Sequence, residues 1–225
     1  TWFRDAAVWG TFDRLTDDGF FEDFESVLFT GTGPAGYAAA AFSVAAPGAR
    51  VLALRPYATL DPAVAGWDRR HLRERRRDFT SRYGYAPEMI DAADAAFVLH
   101  DPAYAPDAMH AALFHKGHVL ALRCPLAGTR VEAILDQMAV MPDLVDLAMD
   151  GRLDRVAFAR LWRARRSHPT YLRGLLKRLE ADGRRGLALR VCRHGLTTRD
   201  RPLFERKLVE LGGEVPVPSP TAAAG

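Results

Sequence analysis

Six residues near the N-terminus have the composition of a turn that could do chemistry. Residues 31–36 are Gly-Thr-Gly-Pro-Ala-Gly; an apolar run precedes them and small residues follow. A glycine-rich turn between a strand and a helix either presents a nucleophilic side chain at its apex or binds phosphate at the helix N-terminus. Gly31, Thr32, Gly33 and Pro34 are therefore candidates for the lining of a ligand cleft.

The phosphate-binding alternative depends on the pattern G-x-G-x-x-G, which is a weak signal by itself. A dinucleotide site also needs an acidic residue about twenty positions later, at the end of the next strand. That strand ends at Arg55 instead, and its guanidinium could bind a ribose phosphate. Because Pro34 removes one backbone N–H from the turn, nucleotide binding is the weaker alternative.

The elements around the turn predict a sheet of parallel strands. Four apolar runs, at 26–30, 50–56, 96–100 and 119–123, alternate with helical patterns. This alternation is typical of the α/β class with helices on both faces, so we predict a three-layer parallel sheet.

The ends of these strands supply further candidate residues. The carboxyl ends of parallel strands line the ligand cleft of such sheets, so Arg55, His100 and Asp101 join the cleft candidates. Neighbours on a strand point to opposite faces, and His100 and Asp101 therefore need not cooperate.

Helical patterns account for the remaining chain. Spacings of three and four predict an amphipathic helix over 5–17, and a charged helix over 64–83. The arginines of the second helix are interpreted as solvated or paired with Glu74 and Asp78, with an anion or acidic partner as the alternative. The predicted domains are a sheet domain (1–141), a helical C-terminal appendage (142–212) and a disordered tail (213–225).

The turn and the strand after it resemble the nucleophile elbow of α/β-hydrolases. The resemblance lies in Val-Leu-Phe-Thr-Gly-Thr-Gly-Pro-Ala-Gly-Tyr-Ala-Ala-Ala at 27–40 and in Val-Leu-Ala-Leu-Arg-Pro-Tyr-Ala-Thr-Leu at 51–60. It implies that the sheet domain is the C-terminal half of that fold, without the strands that precede the elbow. It also implies that Asp101 and the loop at Gly128 and Thr129 occupy the places of the catalytic acid and histidine.

The departures from this family pattern concern the catalytic groups. The motif G-x-S-x-G aligns with 31–35, which places Gly33 at the nucleophile position, and Thr129 replaces the histidine. A carboxylate without an imidazole has no role in a triad, so Gly33, Asp101 and Thr129 are vestigial positions. The chain is therefore interpreted as a pseudo-hydrolase that acts by binding or protein–protein interaction, with no cofactor and no metal. The alternative is an esterase-type or acyl-transfer enzyme with displaced catalytic residues, for which Cys124 is a candidate.

The chain as a whole also resembles a group of alphaproteobacterial proteins often called phosphoadenosine phosphosulfate reductases. That resemblance implies a phosphate-binding loop and a nucleophilic cysteine near the C-terminus. The sequence Val-Cys-Arg-His-Gly at 191–195 corresponds loosely to the expected cysteine motif. A reductase-like nucleotide-binding protein is therefore a further alternative.

Composition restricts the setting in which the protein acts. Two cysteines, Cys124 and Cys192, indicate a reducing compartment, and no apolar run reaches the roughly 18 residues of a membrane span. We therefore expect a cytoplasmic protein without membrane contact. The formal net charge of +3 arises mostly from dispersed arginines, so nucleic acid is not expected as a partner.

The N-terminal segment is rich in aromatic residues. Four of them occur before residue 13, more apolar surface than a free end exposes. We therefore expect a protein partner, or the remainder of a longer chain, to cover the N-terminal helix and the first strand; self-association into a homo-oligomer is a further expectation.

Overall fold

The computed structural model describes residues 2–215 of the 225-residue chain. Its centre is a four-stranded sheet in which neighbouring strands are parallel and follow the order of the chain. The strands are β1 (Leu28–Thr32), β2 (Arg50–Leu54), β3 (Ala95–His100) and β4 (Val119–Arg123). The predicted α/β class with a parallel sheet is confirmed, with the first strand shifted toward the glycine turn.

Helices cover both faces of this sheet. Side chains along each strand point alternately to the two faces, and each face packs against helices in a core of its own. Val51 and Ala53 of β2 lie in the first core, and Leu52 and Leu54 lie in the second. The sheet is therefore the middle of three layers. The helices of this part of the chain are α1 (Ala6–Asp17), α2 (Pro34–Phe42), α3 (Pro62–Ala65), α4 (Ala86–Met89), α5 (Ala105–Leu113), α6 (Val131–Gln137), α7 (Met141–Met149) and α8 (Arg155–Leu161).

The N-terminal helix α1 forms as predicted. Its N-cap is Asp5, whose side chain accepts a hydrogen bond from the Val8 N–H at 3.1 Å. The four aromatic residues before residue 13 pack against the first core, and the ring of Phe12 stacks on that of Phe42 with centroids 4.4 Å apart. The chain itself therefore covers these four side chains, for which the sequence analysis expected a partner.

The predicted helix over 64–83 is wrong. Only α3 and a short 3₁₀ turn at Glu74–Arg76 are helical between β2 and α4. Polar side chains bind the backbone there instead: Asp68 accepts from the Arg70 N–H, and Asp78 accepts from the Thr80 and Ser81 N–H groups. Such local bonds compete with helical hydrogen bonds, so the segment folds as a long loop, called here the 61–85 loop.

The predicted boundary between sheet domain and helical appendage differs from the structure. The chain divides into two compact units after Trp162, not after residue 141. Helices α7 and α8 belong to the sheet unit because Leu144, Phe158 and Trp162 are buried in the second core. Helical spacing alone does not distinguish a helix that covers a sheet from one in a separate unit.

The second unit is helical and has its own core. Leu172, Leu176, Cys192 and Phe204 are buried among α9 (Pro169–Ala181), α10 (Arg185–Gly195) and α11 (Arg201–Glu210). Of the predicted tail, residues 216–225 lie outside the described residues. None of the helices in the described part of the chain is long and apolar enough to cross a membrane.

The contact between the turn and α2 gives a first prediction. A Cβ atom at Gly31 would lie 2.3 Å from the backbone carbonyl oxygen of Ala35, which cannot move aside. We expect Gly31→Ala to lower the free energy of unfolding by about 3 kcal/mol or more. The same change at Gly10, in the interior of α1, meets no atom within 4 Å and is expected to stabilise by about 0.5–1 kcal/mol. Urea unfolding of the two variants measures both values, and equal shifts would contradict the close packing at Gly31.

Candidate functional site

The glycine turn joins β1 to α2 at the carboxyl edge of the sheet. Gly33 lies between the two elements with φ 56° and ψ −117°, outside the regions that side-chain-bearing residues favour, and Pro34 is the first residue of α2. The Gly33 N–H donates to the Leu54 carbonyl of β2 at 2.8 Å, and its own carbonyl accepts from the Tyr37 N–H at 3.0 Å. The turn is therefore a sharp strand-to-helix bend, held by backbone hydrogen bonds to the neighbouring strand and to the helix.

The three glycines of the turn have different roles. Side chains at Gly31 and Gly36 would meet backbone atoms, the latter at 3.0 Å from the Gly31 carbonyl oxygen. A Cβ atom at Gly33 would meet only the ring of Tyr57, at 3.9 Å. The outer glycines permit close packing of strand and helix, whereas the apex has room for a side chain that the sequence does not supply.

Asp101, directly after β3, reaches the loop that follows β4. One carboxylate oxygen accepts a hydrogen bond from the Gly128 N–H at 2.7 Å, and the other accepts from the Ala103 N–H at 2.9 Å. The structure thus brings Asp101 beside the loop of Thr129, whose own side chain is exposed. The carboxylate fastens one strand-end loop to the next.

Arg55, the other predicted cleft cation, is already paired. Its guanidinium donates to both carboxylate oxygens of Glu132, at 2.9 and 3.1 Å, and lies 3.5 Å from Asp107. Burial lowers the pKa of Arg55, but the opposite effect of these two carboxylates is larger, so the pKa is raised. Since both carboxylates already balance its charge, Arg55 does not offer the free cation that a ribose phosphate needs.

Arg55 is one member of a continuous series of charged contacts. Arg70 donates to Asp68 at 2.7 Å and to Asp107 at 2.6 Å, and Asp107 in turn contacts Arg55. His110 Nε2 lies 2.9 Å from Asp68. We call this series the charged network: His110, Asp68, Arg70, Asp107, Arg55 and Glu132.

The tautomer of His110 follows from its two partners. Its Nδ1 accepts the Ala58 backbone N–H at 3.2 Å, so Nε2 carries the hydrogen and donates to Asp68. Burial lowers the pKa of His110, against the effect of Asp68, which raises it. Both ring nitrogens of the neutral imidazole are used, so His110 has no free nitrogen to accept a proton from a substrate.

A tyrosine and a histidine lie beside the apex of the turn. The Tyr57 hydroxyl is 2.8 Å from His71 Nε2, and Trp2 packs edge-on against both rings with centroids 4.9 and 4.7 Å away. Burial raises the pKa of Tyr57 to about 12 and lowers the pKa of His71. The pair is therefore uncharged at neutral pH.

The remaining sequence candidates lie apart from the turn. His100 faces α5 rather than the partners of Asp101, and it lines a separate groove. Cys124 is fully buried in the second core. Cys192 is buried in the helical unit, where burial raises the pKa of its thiol and disfavours a nucleophilic role.

Sequence analysis missed most of the charged network. The spacing of Asp68 and Arg70 placed them on a helix face, and nothing in the sequence indicated that Asp107, His110 and Glu132 approach them. Oppositely charged residues that pair across a loop leave no periodic pattern in the sequence, so their pairing is not predicted from it. Within residues 2–215, no group of three or more histidine, cysteine, aspartate or glutamate side chains is arranged to hold a metal ion.

Comparison with protein-family models, with curated proteins and with solved structures finds no match to this chain. The family resemblances drawn from the sequence therefore stay predictions.

The charged network gives a prediction about pH. The folded pKa of His110 lies below the unfolded value of about 6.5, so its stabilising effect is present above pH ~6.5 and is lost as pH falls toward the folded pKa. Burial raises the pKa of Asp68, but hydrogen bonds from Arg70 and His110 have the larger effect and hold this pKa well below its unfolded value of about 3.9. The contribution of Asp68 to the free energy of unfolding is therefore lost only below pH ~3.9. Chemical unfolding should therefore show a first loss of stability as pH falls from 7 to 5, and a second that begins near pH ~4 and continues below pH ~3.

The variant His110→Gln isolates the first stage. We expect it to lower the free energy of unfolding at pH 7 by about 1–3 kcal/mol and to reduce the loss between pH 7 and pH 5. His71 and His100 also have lowered pKa values, so part of the slope remains. His115→Gln, the same change at an exposed position, is the matched control. An unchanged slope in His110→Gln would contradict the assignment.

Proposed function

We propose that the chain is a non-catalytic α/β-hydrolase-like protein that acts through binding, in protein–protein interaction. Four parallel strands in chain order support this proposal, together with a sharp bend after the first strand. The contact between the carboxylate after β3 and the loop after β4 also fits the arrangement that the resemblance implies.

The observation that carries the proposal is the composition of the turn. Gly33 has no side chain at the apex, where a hydrolase has its nucleophile. In that fold the backbone N–H of the next residue helps to stabilise the oxyanion, and here the next residue is Pro34, which has no N–H. Nucleophile and oxyanion donor are therefore both absent at adjacent positions, while the bend itself keeps its shape.

Nearby groups do not replace the missing ones. Asp101 is hydrogen-bonded to two backbone N–H groups and has no histidine to orient. Tyr57 is too weak an acid to ionise near neutral pH, and both ring nitrogens of His110 are used. Cys124 lies inside a core. These observations favour binding over an enzyme with displaced catalytic residues.

The edge of the sheet at β1 supports the interaction part of the proposal. Within the described residues β1 pairs only with β2, and an unpaired strand edge is a template for a strand from another chain. Phe20 and Phe24, in the segment that leads to β1, expose 43% and 51% of their surface. We call β1 and these two side chains the β1 edge surface, and we infer that a protein partner covers it.

The absence of catalysis is tested by rebuilding the missing groups in steps. Wild-type protein and Asp101→Asn are expected to hydrolyse p-nitrophenyl butyrate equally slowly and to resist labelling by a fluorophosphonate probe. Gly33→Ser alone should gain little, because one oxyanion donor is worth about 10²–10³ in rate and Pro34 still removes it. Only Gly33→Ser combined with Pro34→Ala and Thr129→His is expected to react. Labelling of the wild-type protein, at Thr32 or elsewhere, would overturn the proposal.

The β1 edge surface is tested by removing its exposed rings. We expect Phe20→Ser with Phe24→Ser to leave the thermal midpoint nearly unchanged, since both rings are largely exposed, and to abolish association through this edge. Sedimentation velocity and hydrogen exchange of the β1 amides measure the effect, and Val156→Ser, at a side chain that is 57% exposed elsewhere, serves as control. Slow exchange, in a monomer without any partner, of the alternate β1 amides that do not donate to β2 would contradict an open edge.

A further inference from the structure

The helical unit carries an excess of positive charge. The segment Arg163–Gly225 holds 14 of the chain's 31 lysine and arginine residues but 6 of its 28 aspartate and glutamate residues, a formal net charge of +8. The sheet unit, Thr1–Trp162, has the opposite balance, with a formal net charge of −5. Charge of one sign concentrated in one unit favours a partner surface of the other sign.

A groove in the helical unit combines this charge with apolar surface. The groove has a volume of about 360 Å³, within the range of about 300–1,000 Å³ that is usual for ligand pockets. Leu175 of α9 and Val191 of α10 line it, and so do the exposed arginines Arg166 and Arg190. The groove therefore fits a partner that presents apolar side chains together with carboxylates.

The two arginines of the groove have no counterion in their own unit. Within residues 163–215, neither Arg166 nor Arg190 forms an ion pair, whereas several other cations of the unit do: Arg173, Arg178, Arg201, Arg206 and Lys207. A guanidinium can donate two parallel hydrogen bonds to one carboxylate. Both side chains are therefore able to bind carboxylates of another molecule.

Other contacts within the groove bear on the kind of partner. His194 Nε2 donates a hydrogen bond to the Arg166 backbone carbonyl at 2.7 Å, which fixes the backbone of this arginine to α10. The guanidinium of Arg165 lies over the Tyr171 ring, 5.4 Å from its centroid. Single-stranded nucleic acid binds largely by stacking its bases on aromatic rings, and one face of this ring is already covered. These contacts favour an acidic protein segment over nucleic acid.

A segment of complementary composition lies in the sheet unit of the same chain. Residues 17–25 are Asp-Asp-Gly-Phe-Phe-Glu-Asp-Phe-Glu, with five carboxylates and no lysine or arginine. The five carboxylate side chains are exposed and form no ion pair within residues 2–162. Between them, the exposed rings of Phe20 and Phe24 contact each other with centroids 5.2 Å apart. This acidic aromatic segment, residues 17–25, presents the side chains that the groove fits.

We propose that the groove of the helical unit binds the acidic aromatic segment of a second copy of this chain. The guanidinium groups of Arg166 and Arg190 donate to carboxylates of that segment, and the rings of Phe20 and Phe24 lie on the apolar surface of the groove. Because groove and segment are different patches of one chain, the contact is heterologous, and each copy can bind two others. This proposal rests on the interaction part of the proposed function, since it names the partner of the two exposed rings.

Charge reversal in the groove tests the proposal. Sedimentation velocity of the full chain at about 0.01 M salt should show association, which should weaken at about 1 M salt because the screening length falls from about 30 Å to about 3 Å. Arg166→Glu with Arg190→Glu should abolish association. Lys177→Glu with Arg199→Glu, the same change of charge at exposed residues outside the groove, should retain it. Equal loss in both double variants would overturn the proposal.

Mixing two defective variants tests the heterologous geometry. Phe20→Ser with Phe24→Ser keeps an intact groove, and Arg166→Glu with Arg190→Glu keeps an intact acidic aromatic segment. Each variant alone should be monomeric. An equimolar mixture should form a heterodimer that grows no further, because one intact groove and one intact segment remain. A mixture that stays monomeric would overturn the proposal.

The outcomes also separate this proposal from the proposed function. A wild-type chain that is monomeric at every concentration, or a groove variant that associates like wild type, overturns the second copy as partner and leaves the β1 edge surface to another protein. If removal of the two rings changes neither association nor exchange of the β1 amides, the interaction part of the proposed function fails as well. Binding of single-stranded RNA by a monomeric wild-type chain, lost in Arg166→Glu with Arg190→Glu, would assign the groove to nucleic acid and overturn the proposal.

Discussion

Two buried carboxylates at the carboxyl edge of the sheet constrain the rest of this structure. The side chains of Asp68 and Asp107 are 1% and 2% exposed, and each is paired with an arginine. Removing one partner of a buried ion pair costs about 3–5 kcal/mol, because the remaining charge has no counterion and no water. Since Arg70 contacts both carboxylates, the 61–85 loop has to lie against α5. Since Arg55 contacts Asp107 and Glu132, the end of β2 is fixed to α5 and α6 at the same time.

The same network explains why the charged side chains at the carboxyl edge are already paired within the protein. Groups that form active sites in other parallel sheets have protein partners here: Arg55 has Glu132, Asp101 has two backbone N–H groups, and His110 has Asp68 and Ala58. The bend at Gly33 persists for a different reason. Its shape follows from close packing at Gly31 and Gly36 and from backbone hydrogen bonds, none of which requires a nucleophile. Close packing and backbone hydrogen bonds are therefore sufficient to fix the shape of this strand-to-helix bend.

The parts of the fold that were predictable depend on local pattern. Apolar runs located all four strands, and glycine spacing located the turn, because each signal lies within one element. The error at 64–83 arose where Asp68 and Asp78 bind the backbone rather than solvent, which periodicity does not register. The charged network could not be predicted from the sequence for a further reason. Its contacts join residues as distant in sequence as Arg55 and Glu132, and such pairings are decided by the folded sheet.

Departures from the ordinary rules of packing indicate where function lies, since native proteins satisfy buried polar groups and cover apolar ones almost everywhere else. In the charged network each carboxylate faces an arginine; Asp107 Oδ2 has no hydrogen bond, and lies 3.5 Å from Arg55 as an ion pair. Phe20 and Phe24, by contrast, are exposed beside a strand that pairs on one side only within the described residues. The exposed rings beside this edge are therefore the feature on which the proposed interaction at β1 depends.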